Sequence, residues 1–433
     1  MTPPALLRTV ALLLLATVVL AACGEGDSPT DEGETTTATG DPDETPEDGA
    51  TGGTDATTLD RNLVDGCADD AVDGTDHFPE KATFEHAQRV DVTYSDEYKV
   101  LEVQTTFTEE PLSLVLVQCG LDAPELDGDL ADAPVIEVPV REAVTLTTAN
   151  LAHFEALGAV DRLVGVGTTD FVTTEPVLER IEAGEIAGYG TPGGPPDTER
   201  LIAAAPDVAI MDAFGETALD DFARLGDAGV DVLPNADFDE AHPLGRAEWV
   251  KVTGLLLNRE ADAEVAFDEI RAGYEEVAAQ VADVDDRPRV LMDMPFEGTW
   301  FAAGGQSLSA TLITDAGGEY VFADDDSTGS LSYDIEAVLD RGADADVWLG
   351  AGSVSTSMDD LLAQDERFGS IAAAQEGEVW AGDAMVSPDG GNARMERGIY
   401  RADELLADFA AIFHPGLVDH DPIYYGRVGD PGS

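Results

Sequence analysis

The chain has 433 residues, of which 89 are acidic and 22 are basic, so its formal net charge at pH 7 is -67. Nucleic-acid backbones bind basic surfaces that release counterions, and this charge therefore excludes nucleic acid as a partner. Binding of a cationic ligand is one reading of the excess acid, but the acidic residues are spread along the chain rather than clustered. Such a distribution favours a solvated surface suited to high salt. The length is sufficient for two or three domains.

The first segment of the chain ends in a cysteine that two alanines precede. An apolar run from Val10 to Leu20 follows Arg8 and is too short to cross a bilayer core of roughly 30 Å with normal flanks. Together with Cys23 this arrangement predicts a bacterial lipoprotein signal peptide at residues 1–22 and lipidation of Cys23. An ordinary secretory signal with an incidental cysteine is the alternative. We therefore expect a protein that a lipid anchors to the cell membrane, on its extracytoplasmic face.

The residues after Cys23 are mainly Gly, Asp, Glu, Thr and Pro. A stretch of this composition, from residue 23 to about residue 60, cannot bury a core, and we expect a disordered acidic tether. Lipidation of Cys23 leaves Cys67 and Cys119 as an even pair in an oxidising compartment, which favours a disulfide between them. Two free buried thiols are the alternative.

Short apolar or alternating segments follow the tether. Phe84–Tyr94, Tyr98–Phe107 and Leu112–Gln118 have the lengths of strands, and they predict a small β-meander. We place this meander in an extension, residues 61–140, that packs on the lobe that follows it.

From about Leu146 onward, helical patterns alternate with short apolar strands, which is typical of parallel sheets covered by helices. One α/β lobe is predicted at residues 141–258 and a second at residues 285–425. The longest helical stretch lies between them and has a plausible break at Asn258. Its second half, residues 259–284, repeats apolar residues at spacings of three and four, and we expect it to join the two lobes; a core helix inside one domain is the alternative.

A weak internal repeat supports two equivalent lobes. In the first lobe Glu199 begins a short helix that leads through an aspartate turn to the apolar strand Val208–Met211. In the second lobe Glu336 likewise begins a short helix that leads through an aspartate turn to the apolar strand Val347–Leu349. Chance similarity of two helix–strand units is the alternative.

These elements together resemble the substrate-binding proteins of bacterial ABC importers, in the class that captures ferric siderophores, haem and cobalamin. The resemblance runs from Leu146 to Pro415, and stretches such as Asn150–Val166 and Gly304–Tyr320 carry it by their order and spacing. It implies an α/β fold of two lobes with mostly parallel sheets, joined by one long α-helix, and a ligand enclosed between the lobes. It also implies that Glu199 and Glu336 dock into arginines of the membrane permease; helix-start carboxylates favoured by the dipole are the alternative.

Ligands of open α/β sheets bind outside the carboxyl ends of the strands. The loops that follow the predicted strands supply the candidate ligand-binding residues Thr169, Phe171, Phe214, Phe296 and Trp300. Two further candidates, Arg394 and Arg397, lie at the start of the last predicted helix, where a cation opposes the helix dipole. They predict an anionic partner, such as the oxygens of a ferric chelate or of haem, which arginine can hold bidentately. Salt bridges to the abundant acidic residues are the alternative.

The sequence therefore predicts a monomeric, lipid-anchored capture protein that binds a ferric siderophore and delivers it to an ABC-transporter permease. Cobalamin or haem bound in the same way is the alternative ligand, and a surface adhesin is a weaker alternative function. We expect no enzyme and no cofactor, since the sequence contains no GxSxG, HExxH or phosphate-loop motif. No metal site is expected either, because no two of the six histidines have a metal-ligand spacing on one element.

Overall fold

The computed structural model describes residues 59–68, 75–191 and 194–429. The predicted signal peptide, Cys23 and all but the last two residues of the predicted tether lie outside the described residues. Within the described ranges, no helix is both long enough and apolar enough to cross a membrane.

The N-terminal extension forms a four-stranded sheet in the order β1-β2-β3-β4. Its strands are β1 (Val90–Tyr94), β2 (Tyr98–Val103), β3 (Leu112–Gln118) and β4 (Val135–Val138). The first three strands pair antiparallel as a meander, whereas β4 returns to pair parallel with β3. The first two predicted strands were too long, because residues 84–89 and 104–107 lie outside the ladder. The disulfide between Cys67 and Cys119 is present, with Cα atoms 4.8 Å apart.

The first lobe is built on a five-stranded parallel sheet in the order β7-β6-β5-β8-β9. Its strands are β5 (Ala143–Thr145), β6 (Leu163–Val166), β7 (Ala187–Gly188), β8 (Val208–Asp212) and β9 (Val232–Asn235). Its helices are α1 (Leu151–Ala156), α2 (Glu175–Glu182), α3 (Thr198–Ala204) and α4 (Glu216–Asp227). Every residue of the central strand β5 is buried, as expected of a strand covered on both faces.

Three consecutive helices connect the lobes: α5 (Pro243–Ala247), α6 (Val250–Leu257) and α7 (Glu260–Val281). Asn258 has a left-handed backbone, with φ of 55°, and it ends α6, so the predicted break is confirmed. The predicted apolar face of α7 is buried at Phe267, Ile270 and Tyr274. The 22 residues of α7 then lead into the second lobe.

The second lobe has a five-stranded sheet in the order β13-β10-β15-β16-β17, parallel except for β17. These strands are β10 (Arg289–Met292), β13 (Glu319–Tyr320), β15 (Val347–Leu349), β16 (Val379–Ala381) and β17 (Gly426–Arg427). A small antiparallel sheet adds β11 (Pro295–Phe296), β12 (Thr299–Ala303) and β14 (Ser330–Tyr333). The helices are α8 (Leu308–Asp315), α9 (Ile335–Gly342), α10 (Met358–Gln364), α11 (Ala372–Glu376), α12 (Arg397–Tyr400) and α13 (Ala402–Phe413). The predicted fold class is therefore confirmed.

Two of the three lysines of the chain are buried, and both bind the extension to the connecting helices. Lys99 on β2 lies with its Nζ 2.6 Å from Glu260 Oε1 at the start of α7, and it also donates to Leu255 O and Asn258 Oδ1. Lys251 on α6 has its Nζ 2.9 Å from Glu248 Oε1, and it donates to Thr83 O of the extension at 2.8 Å. A buried charge is stable only when it is paired and hydrogen-bonded, and both lysines meet that condition.

Two carboxylates also bind the backbone of the segment that precedes β1. Glu248 accepts hydrogen bonds from the N–H groups of residues 85, 86 and 87 at 2.7 to 3.1 Å. Glu240 accepts them from residues 88 and 89 and from Trp249 Nε1. Because these five N–H groups are bound to carboxylates, residues 85–89 do not extend β1.

The buried ion pair of Lys99 and Glu260 predicts a large effect of one substitution on stability. Lys99→Met leaves Glu260 buried without its charge partner, and we expect the free energy of unfolding to fall by about 3 to 5 kcal/mol. The matched control is Lys81→Met, which removes an exposed pair with Asp76 and should cost at most about 1 kcal/mol. Urea unfolding at fixed salt concentration measures both changes. Equal stability of the two variants would contradict a structural role of the pair.

Candidate functional site

A cavity of about 210 Å³ lies between the connecting helix α5 and the second lobe, and we call it the base cavity. Arg246 of α5 and Arg394 of the segment before α12 both line it. The other lining residues are mostly apolar and include Pro243, Met292, Leu308, Leu312, Met395, Phe409 and Tyr425. Two guanidinium groups in such surroundings can bind an anionic oxygen strongly, because charge-assisted hydrogen bonds gain strength where water is scarce.

Arg246 is held in place by a buried aspartate. Its Nε lies 3.3 Å from Asp237 Oδ2, and Asp237 Oδ1 accepts a hydrogen bond from Asn235 Nδ2 at 3.0 Å. Asp237 is 2% exposed. The sequence analysis missed Arg246, although a cation within an otherwise apolar helical pattern was an available signal.

Arg394 reaches the base cavity from the second lobe, as expected for a ligand-binding residue. Its Nε donates to Gly382 O at 3.1 Å, and its guanidinium lies 5.7 Å from the centre of the Tyr425 ring. These two contacts fix the side chain while most of its donors stay available for a ligand. Its role in binding stays a prediction.

Arg397 does not line the base cavity. Its guanidinium lies 2.6 Å from Glu404 Oε1 on α13, and half of its side chain is exposed. The structure therefore gives Arg397 the salt-bridge role that the sequence analysis held as the alternative.

A second pocket, of about 270 Å³, lies at the carboxyl ends of the strands of the first lobe, and we call it the lobe 1 pocket. Thr147, Thr168, Phe171 and Asp212 line it after β5, β6 and β8. The predicted Thr169 lies beside the pocket, with its Oγ1 3.4 Å from Asp170 Oδ1, and its neighbour Thr168 takes the lining position.

The aromatic candidates divide into exposed and buried residues. Phe214 and Phe296 are 69% and 68% exposed, and Phe171 is 38% exposed. Phe171 also lies against the second lobe, since a Cβ on Gly391 would be 2.5 Å from Phe171 O. These three rings are accessible to a ligand in this structure.

The prediction that Trp300 contacts ligand is wrong. Trp300 is completely buried, its ring stacks on Trp348 at 5.9 Å, and its Nε1 donates to Met292 O at 3.0 Å. The cause is the pairing of β12 with β14, which turns Trp300 inward and its neighbour Phe301 outward. Trp300 is therefore a core residue of the second lobe.

Two aspartates at strand ends have raised pKa values. Burial raises the pKa of Asp212 to about 6, against the opposing effect of a hydrogen bond from Asn235 Nδ2. Asp212 is open to solvent on the pocket side and enclosed by protein elsewhere, which explains a partial loss of hydration. Burial also raises the pKa of Asp293, after β10, to about 6, although the charge of Arg394 lowers it.

A buried carboxylate bridges the two lobes. Glu396, before α12, is completely buried and accepts hydrogen bonds from Thr173 N at 2.9 Å and from Thr174 N at 2.7 Å. Thr174 Oγ1 donates to the same carboxylate. These donors stand at the start of α2, so the contact joins the second lobe to the first. Burial raises the pKa of Glu396.

The two predicted docking glutamates occupy matching positions. Glu199 and Glu336 lie in the first turns of α3 and α9, each of which precedes a parallel strand and so begins at the carboxyl edge of its sheet. An aspartate two residues earlier caps each helix: Asp197 accepts from Arg200 N and Asp334 from Ala337 N. Since Asp334 is used as a cap, Glu336 rather than Asp334 stays the docking candidate of the second lobe, and Glu336 also pairs with Arg367.

Two lobes of mostly parallel sheet, helices that connect them and a cleft at the strand ends define a solute-binding protein of the kind that serves ABC transporters. The periplasmic binding protein family matches residues 144–385, and the chain belongs to this family. The resemblance stated from the sequence is therefore confirmed. Members of the family bind small ligands outside the cytoplasm and work with ABC permeases. The family and the similar solved structures are solute-binding proteins rather than enzymes.

Individual relatives and solved structures are similar to this chain at low sequence identity. An uncharacterized lipoprotein of Methanocaldococcus jannaschii is 23% identical over 293 residues, which are 65% of this chain and 67% of the relative. A possible iron-binding periplasmic solute-binding protein of Staphylococcus epidermidis has a TM-score of 0.50 and 19% identity, covering 64% of this chain and 99% of its own. A periplasmic haem-binding protein of Pseudomonas aeruginosa has a TM-score of 0.50 and 21% identity, covering 68% and 100%.

The raised pKa values of Asp212 and Asp293 predict a pH dependence of stability. Both values rise from 3.8 to about 6 on folding, so the folded protein binds more protons than the unfolded chain between these limits. The stability that these groups contribute is present below pH 3.8 and is lost as the pH rises through 6. The double variant Asp212→Asn/Asp293→Asn lacks both carboxyl groups. Its melting temperature minus that of the wild type should therefore be about 2 °C higher at pH 7 than at pH 4. The control is Asp170→Asn, which lies in an exposed loop. If the double variant differs from the wild type by the same amount at both pH values, the raised pKa values of Asp212 and Asp293 are contradicted.

Proposed function

We propose that this solute-binding protein captures a ferric siderophore between its lobes and delivers it to an ABC-transporter permease. The observation that carries the proposal is the meeting of Arg246, from the connecting helix α5, and Arg394, from the second lobe, in the base cavity. Ferric siderophores present anionic or strongly polar oxygen atoms around the metal, and a guanidinium can hold two such oxygens at once. A chelate bound in this cavity would contact both arginines.

The surroundings of the arginines support a bulky ligand with apolar parts. Phe171, Phe214, Phe296 and Met395 expose their side chains at the ends of the two sheets or at the base cavity. A chelate with an organic periphery would cover these surfaces, whereas a bare metal ion would not. Within the described residues, no group of three or more His, Cys, Asp or Glu side chains is arranged to hold a metal ion. The iron would thus arrive as a complex.

The names of two similar structures support the same class of ligand. The protein from Staphylococcus epidermidis is named as possibly iron-binding, and the protein from Pseudomonas aeruginosa as haem-binding. Haem and cobalamin are therefore the alternative ligands of this site, since the propionates of haem also pair with arginine.

The proposal includes a membrane anchor at Cys23. The relative from Methanocaldococcus jannaschii is named a lipoprotein, and the family is extracytoplasmic, which supports lipidation of this chain. The tether would keep the binding protein near its permease at a high effective concentration.

Substitution of the arginines tests the ligand site. Arg394→Gln removes a charge-assisted donor from the base cavity, and we expect the Kd for the bound ferric siderophore to rise about 10- to 100-fold. Arg397→Gln is the matched control, because its guanidinium pairs with Glu404 outside the cavity, and its Kd should change less than twofold. Isothermal titration after a thermal-shift screen of ferric hydroxamates, ferric catecholates, haem and cobalamin gives these values. If none of these ligands raises the melting temperature of the wild type, the proposal is refuted.

Charge reversal of the two docking glutamates tests delivery separately from capture. Glu199→Arg/Glu336→Arg should abolish uptake of the chelate in cells that contain the cognate permease, while its Kd stays within twofold of wild type. The control is Glu182→Arg/Glu376→Arg, since these exposed glutamates end α2 and α11 at the opposite edges of the two sheets. Normal uptake by the first variant would contradict the docking assignment.

A further inference from the structure

The loop between β2 and β3 of the N-terminal extension reaches the edge of the first lobe at which ligands bind. Thr106 donates from its N and its Oγ1 to Asp239 Oδ2, at 3.1 and 3.0 Å. Asp239 belongs to the short turn Asp237–Asp239 that follows β9. The extension therefore contacts the carboxyl edge of the first sheet, and not only the connecting helices.

Phe107 of this loop takes part in a cluster of three aromatic rings, which we call the ring cluster. Phe107 meets Phe214 at a centroid distance of 5.4 Å and an interplanar angle of 71°. Phe214 meets Phe238 at 5.7 Å and 70°. Both contacts are edge-to-face, the arrangement in which the positive edge of one ring approaches the negative face of the next. The ring cluster thus joins the extension to the loops after β8 and β9.

The ring cluster is exposed where a ligand could reach it. Phe214, the middle ring, is 69% exposed, and Phe107 is 39% exposed. Clustered rings that stay exposed at the end of a sheet are unusual on a protein surface and mark a contact with another molecule. The extension itself is firmly held by the buried pairs of Lys99 and Lys251, so this surface is preformed.

Two residues of the ring cluster are close in sequence to residues of the two pockets. Asp212, two residues before Phe214, lines the lobe 1 pocket. Asp237, next to Phe238, holds Arg246 of the base cavity. The ring cluster therefore lies at the same carboxyl edge of the first sheet as the lobe 1 pocket.

We propose that the N-terminal extension supplies one wall of the ligand site, and that the ring cluster receives an aryl ring of the bound chelate. This inference rests on the proposed function and narrows it to ferric chelates that carry aryl groups, of which the catecholates are the simplest class. An aryl ring of the ligand can continue the edge-to-face series of Phe107 and Phe214, whereas an aliphatic hydroxamate cannot. Phe107 then determines specificity without touching the iron.

The test measures the Kd of two ferric chelates for the mature protein and its variants. Phe107→Ala should raise the Kd for a ferric tris-catecholate about tenfold and leave the Kd for an aliphatic ferric tris-hydroxamate within twofold. Phe107→Leu keeps an apolar side chain without the ring, and it should give the same selective loss with an unchanged melting temperature. Phe301→Ala is the control, because it removes an equally exposed ring from β12 of the other lobe, and neither Kd should change.

The outcomes separate this inference from the function on which it rests. If the wild type binds the catecholate and Phe107→Ala binds it equally well, only the inference is overturned. If Phe107→Ala weakens both chelates to the same extent, aryl recognition is overturned. If Phe107→Ala abolishes uptake and leaves both Kd values unchanged, the ring cluster contacts the permease rather than the ligand, and the inference is overturned as well. A wild type that binds no ferric chelate would refute both proposals.

Discussion

The two buried lysines and their carboxylates are the constraint on which the rest of the structure depends. Lys99 and Lys251 join the extension to the helices that connect the lobes. Loss of Glu260 would leave Lys99 as an uncompensated buried charge, whereas Lys251 pairs with both Glu248 and Glu264. These pairs fix the extension, the helix break at Asn258 and the beginning of α7 as one unit. They therefore also fix the loop of Phe107 at the edge of the first lobe. The exposed carboxylates of this acidic chain depend on salt for screening, whereas these buried pairs do not.

A buried carboxylate serves the same purpose at the lobe interface. Glu396 binds the start of α2, and α7 connects the lobes elsewhere, so the lobes are held to each other at two separate places. This arrangement keeps Arg246 and Arg394 facing one cavity although one belongs to a connecting helix and the other to the second lobe. A site that is preformed in this way loses less conformational entropy when a ligand binds.

The fold was largely predictable from the sequence, because alternation of helices and apolar strands, cysteine parity and the break at Asn258 are local signals. The site was less predictable, because its contacts join distant parts of the chain. Glu396 and Thr173 are 223 residues apart, and no local pattern indicates that they meet. Trp300 was misread because its burial depends on β14, about 30 residues later in the chain, and the short hairpin before it has the composition of a loop. The ring contact between Phe107 and Phe214 likewise depends on tertiary structure alone.

The capped helices α3 and α9 give each lobe the same short pattern, an aspartate followed two residues later by a glutamate, at the same edge of its sheet. A receptor made of two similar halves would thus meet one motif twice, once on each lobe. The two copies differ, however, because Glu336 pairs with Arg367, while Glu199 forms no ion pair within the described residues. An arginine that binds Glu336 must first displace an internal partner, and one that binds Glu199 need not. The two halves of such a receptor would therefore engage this protein with unequal strength.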